Sequence, residues 1–143
     1  MLRLAATNTT TKMDMYDQAM QVYFGMYGVT MTANAEFFWG ADSPLMLPYW
    51  HAPMDPMGAF FARMVGICFA LITLARVAMG MSKDAFVKQT VAFHVVTCVP
   101  FGQLAMSDGK HFTPWVWWVQ VGMNVALALW GYTQMGGNGK AKK

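Results

Sequence analysis

Two stretches of this chain are almost without charge, and they constrain the fold more than anything else in it. Between Arg63 and Arg76 lie twelve residues of which only Thr73 is noticeably polar, and Trp115 to Tyr132 contains no charged residue at all. A run of this kind, about 20 residues long, matches the thickness of a bilayer when wound as a helix. Hydrophobic residues make up 56% of the 143 and charged residues 12%, about half the share usual in soluble domains. With so little charge to cover its surface, the chain must be covered by lipid or by neighbouring subunits.

Four apolar segments follow. The clearest is 58–81, where Arg63 and Arg76 mark boundaries, because an arginine stem can snorkel toward an interface. The next, 86–106, contains Pro100, which predicts a kink by removing one helical hydrogen bond. The third, 115–132, carries Trp115, Trp117 and Trp118 at one end and Trp130 and Tyr132 at the other, as in an interfacial aromatic belt. The first, 19–39, is diluted by Gln21, Thr30, Thr32, Asn34 and Glu36. If it crosses, eight basic residues share one side with both termini, leaving Arg63 and Lys110 on the other; if it does not, the split is six to four. The bias of basic residues toward one side favours crossing. The expected fold class is therefore all-α: an integral membrane bundle of four transmembrane helices, or three if the first stays out.

The remainder of the single domain reads as connections. Residues 1–15 are polar, with no acid before Asp14, and their composition is similar to the tail of an organelle transit peptide. Segment 41–57 holds Pro44, Pro48, Pro53 and Pro56 beside Leu45, Tyr49 and Trp50, which predicts a stiff interfacial loop rather than a helix. Residues 133–143 end in Lys140, Lys142 and Lys143 after three glycines, a flexible basic tail suited to a membrane surface. No face carries a run of Lys and Arg, so nucleic acid is not an expected partner.

His94 is the sharpest functional candidate. It lies near the middle of the 86–106 span with no other ionisable group close by, and a polar group at that depth is a candidate by default. Two readings stay open: an axial ligand to a tetrapyrrole metal, chlorophyll magnesium before haem iron, or a histidine hydrogen-bonded to a neighbouring helix. His51 and His111 fall in loops, where each could cap a surface pigment, although a solvated histidine is the better reading. Glu36 is expected to pair with Arg63. The ladder Gly58, Ala62, Gly66 and Ala70 predicts close helix packing, and Gly122 with Ala126 repeats it, so those two helices are expected to pack together. Cys68 and Cys98 read as buried free thiols, and no Cys/His cluster suggests zinc. The fifteen methionines invite a Cu(I) reading, with Met54 and Met57 near a histidine, but gap-filling explains them better. No catalytic triad, phosphate loop or carboxylate pair is visible, so neither an enzyme nor a small-molecule substrate is expected.

Arg76-Val77-Ala78-Met79-Gly80 resembles a fragment of the light-harvesting chlorophyll-protein helix motif. The motif's glutamate and pigment-binding positions are here Leu71 and Thr73, so the ion pairs that lock antenna helices are missing and antenna membership is set aside. In general character the whole chain resembles small accessory membrane subunits of algal photosystem–antenna supercomplexes. That resemblance implies a chloroplast thylakoid location, contacts to chlorophyll a and carotenoid, and a non-catalytic role bridging the core of photosystem I, other transmembrane subunits and antenna. A similar character belongs to pigment-free accessory subunits of mitochondrial respiratory complexes, in the inner membrane, and to small DoxX-like four-helix proteins.

Overall fold

The computed structural model describes residues 15–39, 54–110 and 113–135. These form four long helices and one short one: α1 (Met15–Ala33), α2 (Glu36–Trp39), α3 (Pro56–Val77), α4 (Lys83–Ala105) and α5 (Pro114–Met135). No strand occurs among the described residues. The polar N-terminal segment up to residue 14, most of the proline-rich loop and the tail from residue 136 lie outside them.

Each helix boundary has a chemical cause. Asp55 caps α3 by accepting from the Gly58 amide, and Pro56 at the first helical position gives up no needed donor. Ser82 caps α4 through the Ala85 amide, 3.2 Å away. Between α3 and α4, Gly80 takes φ +74°, which lets the Met81 amide turn back to the Ala75 carbonyl. The first apolar segment is divided: α1 ends at Ala33, and Asn34 accepts from the Glu36 amide to start the single turn of α2. α4 continues through Pro100, whose exposed ring leaves the Val96 carbonyl without its helical donor on the outer side.

The tightest pairings are α1 with α3 and α4 with α5, and α1 also reaches α4 and α5. Gly28 meets Ala70 while Gly66 meets Met31 and Thr32, so α1 and α3 run antiparallel. Phe101 packs on Trp117 and His94 bonds Asn124, giving α4 and α5 the same relation. Tyr16 lies by Thr90 and Met20 by His94, so α1 and α4 run in the same direction. The order is up-down-up-down. At the centre, Phe24, Phe69 and Phe93 form a three-ring cluster with centroids 5.0 to 5.5 Å apart and planes 80° to 83° from parallel. Each edge-to-face pair contributes about 0.5–1.5 kcal/mol beyond area burial, and this cluster ties α1, α3 and α4 together.

Several expectations need correction. The small-residue ladder of α3 packs against α1, not α5, because Gly28 on α1 gives its backbone the room to approach. Gly122 and Ala126 face outward. α5 instead turns a stripe of larger polar and aromatic residues inward. Cys68 is exposed rather than buried, since it sits on the α3 face away from α1, and Cys98 is half-buried; both are free thiols. Among the described residues one helix, α3, is long and apolar enough to cross a membrane by length and composition. Asp17 and Gln21 in α1, the charged first turn of α4, and Gln120 with Asn124 in α5 lower the apolar content of the others.

The glycines make the packing testable. A methyl group at Gly28 would lie 2.6 Å from the Ala70 nitrogen, whereas one at Gly122 meets nothing within 4 Å among the described residues. Gly28→Ala is expected to destabilise the protein by about 1–3 kcal/mol, the usual cost of overpacking. Gly122→Ala should be neutral or stabilising by up to about 1 kcal/mol, from helix propensity. Thermal unfolding of the two variants beside the parent checks both.

Candidate functional site: the polar interior

The interior is lined by residues recurring every three or four positions on three helices. Tyr16, Asp17, Met20 and Phe24 come from α1, Thr90 and His94 from α4, and Gln120 and Asn124 from α5, all of them buried. Apart from the adjacent Tyr16 and Asp17, about one helical turn separates neighbours in each set, so each helix presents a single inward stripe. The unusual property is chemical: Asp17, Thr90, His94 and Asn124 are all 0% exposed. A buried polar group without a partner costs about 1–3 kcal/mol, and a buried charge costs more. Each of these four therefore needs a partner, and each has one.

Asp17 is held by Arg76 from the far end of α3. The guanidinium donates from Nε at 3.1 and 3.2 Å to the two carboxylate oxygens and from a terminal nitrogen at 2.6 Å. Its other arm donates to the Met81 carbonyl at 3.1 Å, and Gln21 donates to the carboxylate from the next turn of α1 at 2.9 Å. The pair thus fastens the start of α1, the end of α3 and the turn into α4. It replaces the expected pairing of Glu36 with Arg63: both of those side chains are exposed, and no ion pair joins them among the described residues.

Beside the ion pair, the Tyr16 and Thr90 hydroxyls share a hydrogen bond of 2.9 Å, and Trp130 packs edge-on against Tyr16 at 5.2 Å. The next turn brings His94. Its Nδ1 lies 2.8 Å from Asn124 Oδ1, and its Nε2 lies 3.3 Å from the Met20 sulfur. Asn124 in turn donates from Nδ2 to the Gln120 carbonyl at 2.8 Å. The rings of Tyr23, Phe24 and Phe93 surround the imidazole at centroid distances of 5.5 to 5.7 Å. Beyond it a small cleft of ≈ 30 Å³, open on one side, lies among all four long helices, lined by Tyr23, Tyr27, Phe69, Thr97, Trp117 and Gln120 with neighbouring rings.

This geometry bears on the pigment-ligand reading of His94. A chlorophyll magnesium would need one ring nitrogen facing a flat open space as wide as a macrocycle. Here Nδ1 faces Asn124, Nε2 faces Met20, and the ring is fully enclosed. The macrocycle does not fit His94 as placed, whereas the reading as a histidine bonded to neighbouring helices matches both contacts. His51 and His111, the surface-pigment candidates, lie outside the described residues. Among the described residues no three His, Cys, Asp or Glu side chains gather as a metal cluster would require.

The interior contains residues that the sequence reading passed over. Gln120 and Asn124 were legible as two amides one turn apart on an otherwise apolar segment, a spacing that puts both on one face. Asp17 and Arg76 stand at the start of one segment and the end of the next, where an antiparallel hairpin brings them together. No family model, curated protein or solved structure matches the chain.

The ion pair is the most exposed to test. Asp17→Asn leaves a partly buried guanidinium facing a neutral amide and is expected to destabilise the protein by about 2–4 kcal/mol, somewhat below the cost for a fully buried pair. Replacing both partners, as in Asp17→Leu with Arg76→Met, removes the uncompensated charge and should restore much of that loss. Denaturant unfolding of the single and double variants measures the difference.

Proposed function

We propose that this chain is a membrane-embedded, non-catalytic accessory subunit of a larger membrane complex, its four long helices held by their own polar interior and their outer faces given to lipid and neighbouring subunits. One observation carries this reading: fully buried polar groups lie beneath a surface rich in large exposed apolar side chains. The polar side chains Asp17, Thr90, His94 and Asn124 are enclosed, while Val22, Val29, Leu71, Val96, Val119 and Leu129 are all more than half exposed. In water that surface would be an aggregation liability. In hydrocarbon it is the ordinary one, and inter-helix hydrogen bonds such as His94 to Asn124 supply adhesion that apolar contacts cannot. α3 adds to the case, since only 11% of its most apolar window is covered by the rest of the chain.

The resemblance to photosystem accessory subunits suggests a thylakoid photosystem I–antenna assembly as the complex, with bridging as the role and with any chlorophyll or carotenoid seated on the outer faces. The enclosure of His94 is the specific observation that favours the pigment-free alternative, an accessory subunit of a respiratory complex in the mitochondrial inner membrane.

Isolation of the tagged chain from its own membranes tests the proposal. The protein is expected to remain in the pellet after alkaline carbonate extraction and to migrate in mild detergent with an assembly several times its own mass. Release into the soluble fraction as a single chain would overturn the reading. The visible absorption spectrum of that assembly then separates the two settings: chlorophyll bands go with the thylakoid, and their absence goes with the respiratory complex.

A further inference from the structure

The hydrogen bonds around His94 have a fixed direction. The Gln120 main-chain carbonyl can only accept, so the Asn124 amide nitrogen must point toward it, 2.8 Å away. That orientation turns Asn124 Oδ1, also an acceptor only, toward the imidazole at 2.8 Å. His94 Nδ1 must therefore carry the ring proton, and in the neutral imidazole Nε2 is left with a lone pair. The atom facing that lone pair is the thioether sulfur of Met20, 3.3 Å away and itself an electron-pair donor. Two donors of electron pairs thus face each other in a closed aromatic shell, with no proton of their own to place between them. An imidazolium would supply one, but the ring's contacts among the described residues are Met20, Tyr23, Phe24, Phe93 and Asn124, none of them a carboxylate.

We propose that His94 Nε2 and Met20 Sδ form an intramolecular binding site for a soft monovalent cation, Cu(I) or its redox-inert analogue Ag(I). Thioether and imidazole donors together select Cu(I) over hard divalent ions. With metal–nitrogen and metal–sulfur bonds of about 2.0 and 2.3 Å, donors 3.3 Å apart subtend about 100° at the ion. Opening the pair by about 1 Å, within reach of the flexible methionine side chain, gives a linear two-coordinate arrangement. Asn124 holds the far side of the imidazole as metal-bound histidines are commonly held, by accepting from the other ring nitrogen. A bare ion needs far less room than a macrocycle and can be held by the two donors alone. The inference rests on donor geometry and holds whether or not the bundle lies in a bilayer.

Titration of the purified full chain with Cu(I), under reducing conditions and against a chromophoric cuprous chelator, tests the site. The wild type is expected to take up one Cu(I) per chain. Met20→Leu keeps the side-chain volume and with it the fold, and should weaken uptake at least about tenfold. Asn124→Ala, which frees the ring, should weaken it about 10- to 100-fold. Met26→Leu, one to two turns away on an exposed position, should change nothing. Binding that is absent in the wild type, or equal in wild type and Met20→Leu, overturns the proposal. A second measurement avoids variants altogether: nitrogen NMR of histidine-labelled protein should show the His94 proton on Nδ1 and a shift of Nε2 on adding Ag(I). A proton found on Nε2 overturns it equally.

Discussion

The constraint on which the structure depends is the enclosure of charge and hydrogen-bonding groups in a bundle with little polar surface elsewhere. Asp17 is fully buried, and a carboxylate there is tolerable only because Arg76 meets it with two nitrogens at once. That requirement fixes which helices can be neighbours. The start of α1 must lie beside the end of α3, and the turn at Met81 must come close enough for its carbonyl to take the second guanidinium arm. An ion pair of this kind adds little net stability over an apolar replacement, but it penalises every arrangement that would separate its members.

A second level of specification comes from size. Gly28 and Gly66 let α1 and α3 approach until backbone meets side chain, which places Phe24 and Phe69 at the depth where Phe93 can join them. The aromatic cluster then brings α4 in, and α4 carries His94 to Met20 on one side and Asn124 on the other. Small residues, rings and amides therefore act in sequence along the same axis. Each depends on the geometry set by the one before, which is why Gly122, without a neighbour among the described residues, carries none of this burden.

The division of labour between inner and outer faces explains the chemistry of the site. Polar groups that would compete with water on a surface are isolated from it here, so hydrogen-bond direction is set by the protein alone. The Gln120 carbonyl sits at the head of such a chain and the Met20 sulfur at its end. Outward, many valines and leucines of α1, α3, α4 and α5 are exposed. The two properties are linked, since both follow from turning the polar stripe of each helix inward.

Much of this was legible in the residues. Three of the four long helices follow their apolar segments to within four residues at each end, because sparse charge and the breakers around them leave helix as the stable choice; the first was legible only in part. His94 stood out as a lone ionisable group in an apolar run. The division at Asn34 was less visible, since one side-chain bond to the Glu36 amide decides it. Which faces would turn inward was legible only where the small residues of α3 or the amides Gln120 and Asn124 marked one side. In a chain this apolar the hydrophobic period that marks a soluble helix is weak, so Cys68 looks as buried as Phe69. The sequence by itself determined the helices and the need to bury or cover them. Only the tertiary structure decided that Arg76 would answer Asp17 rather than Arg63 answer Glu36, and that His94 would meet Met20. Those pairings join residues 59 and 74 positions apart, and the antiparallel packing of α1 with α3 and the parallel alignment of α1 with α4, not local spacing, bring them together.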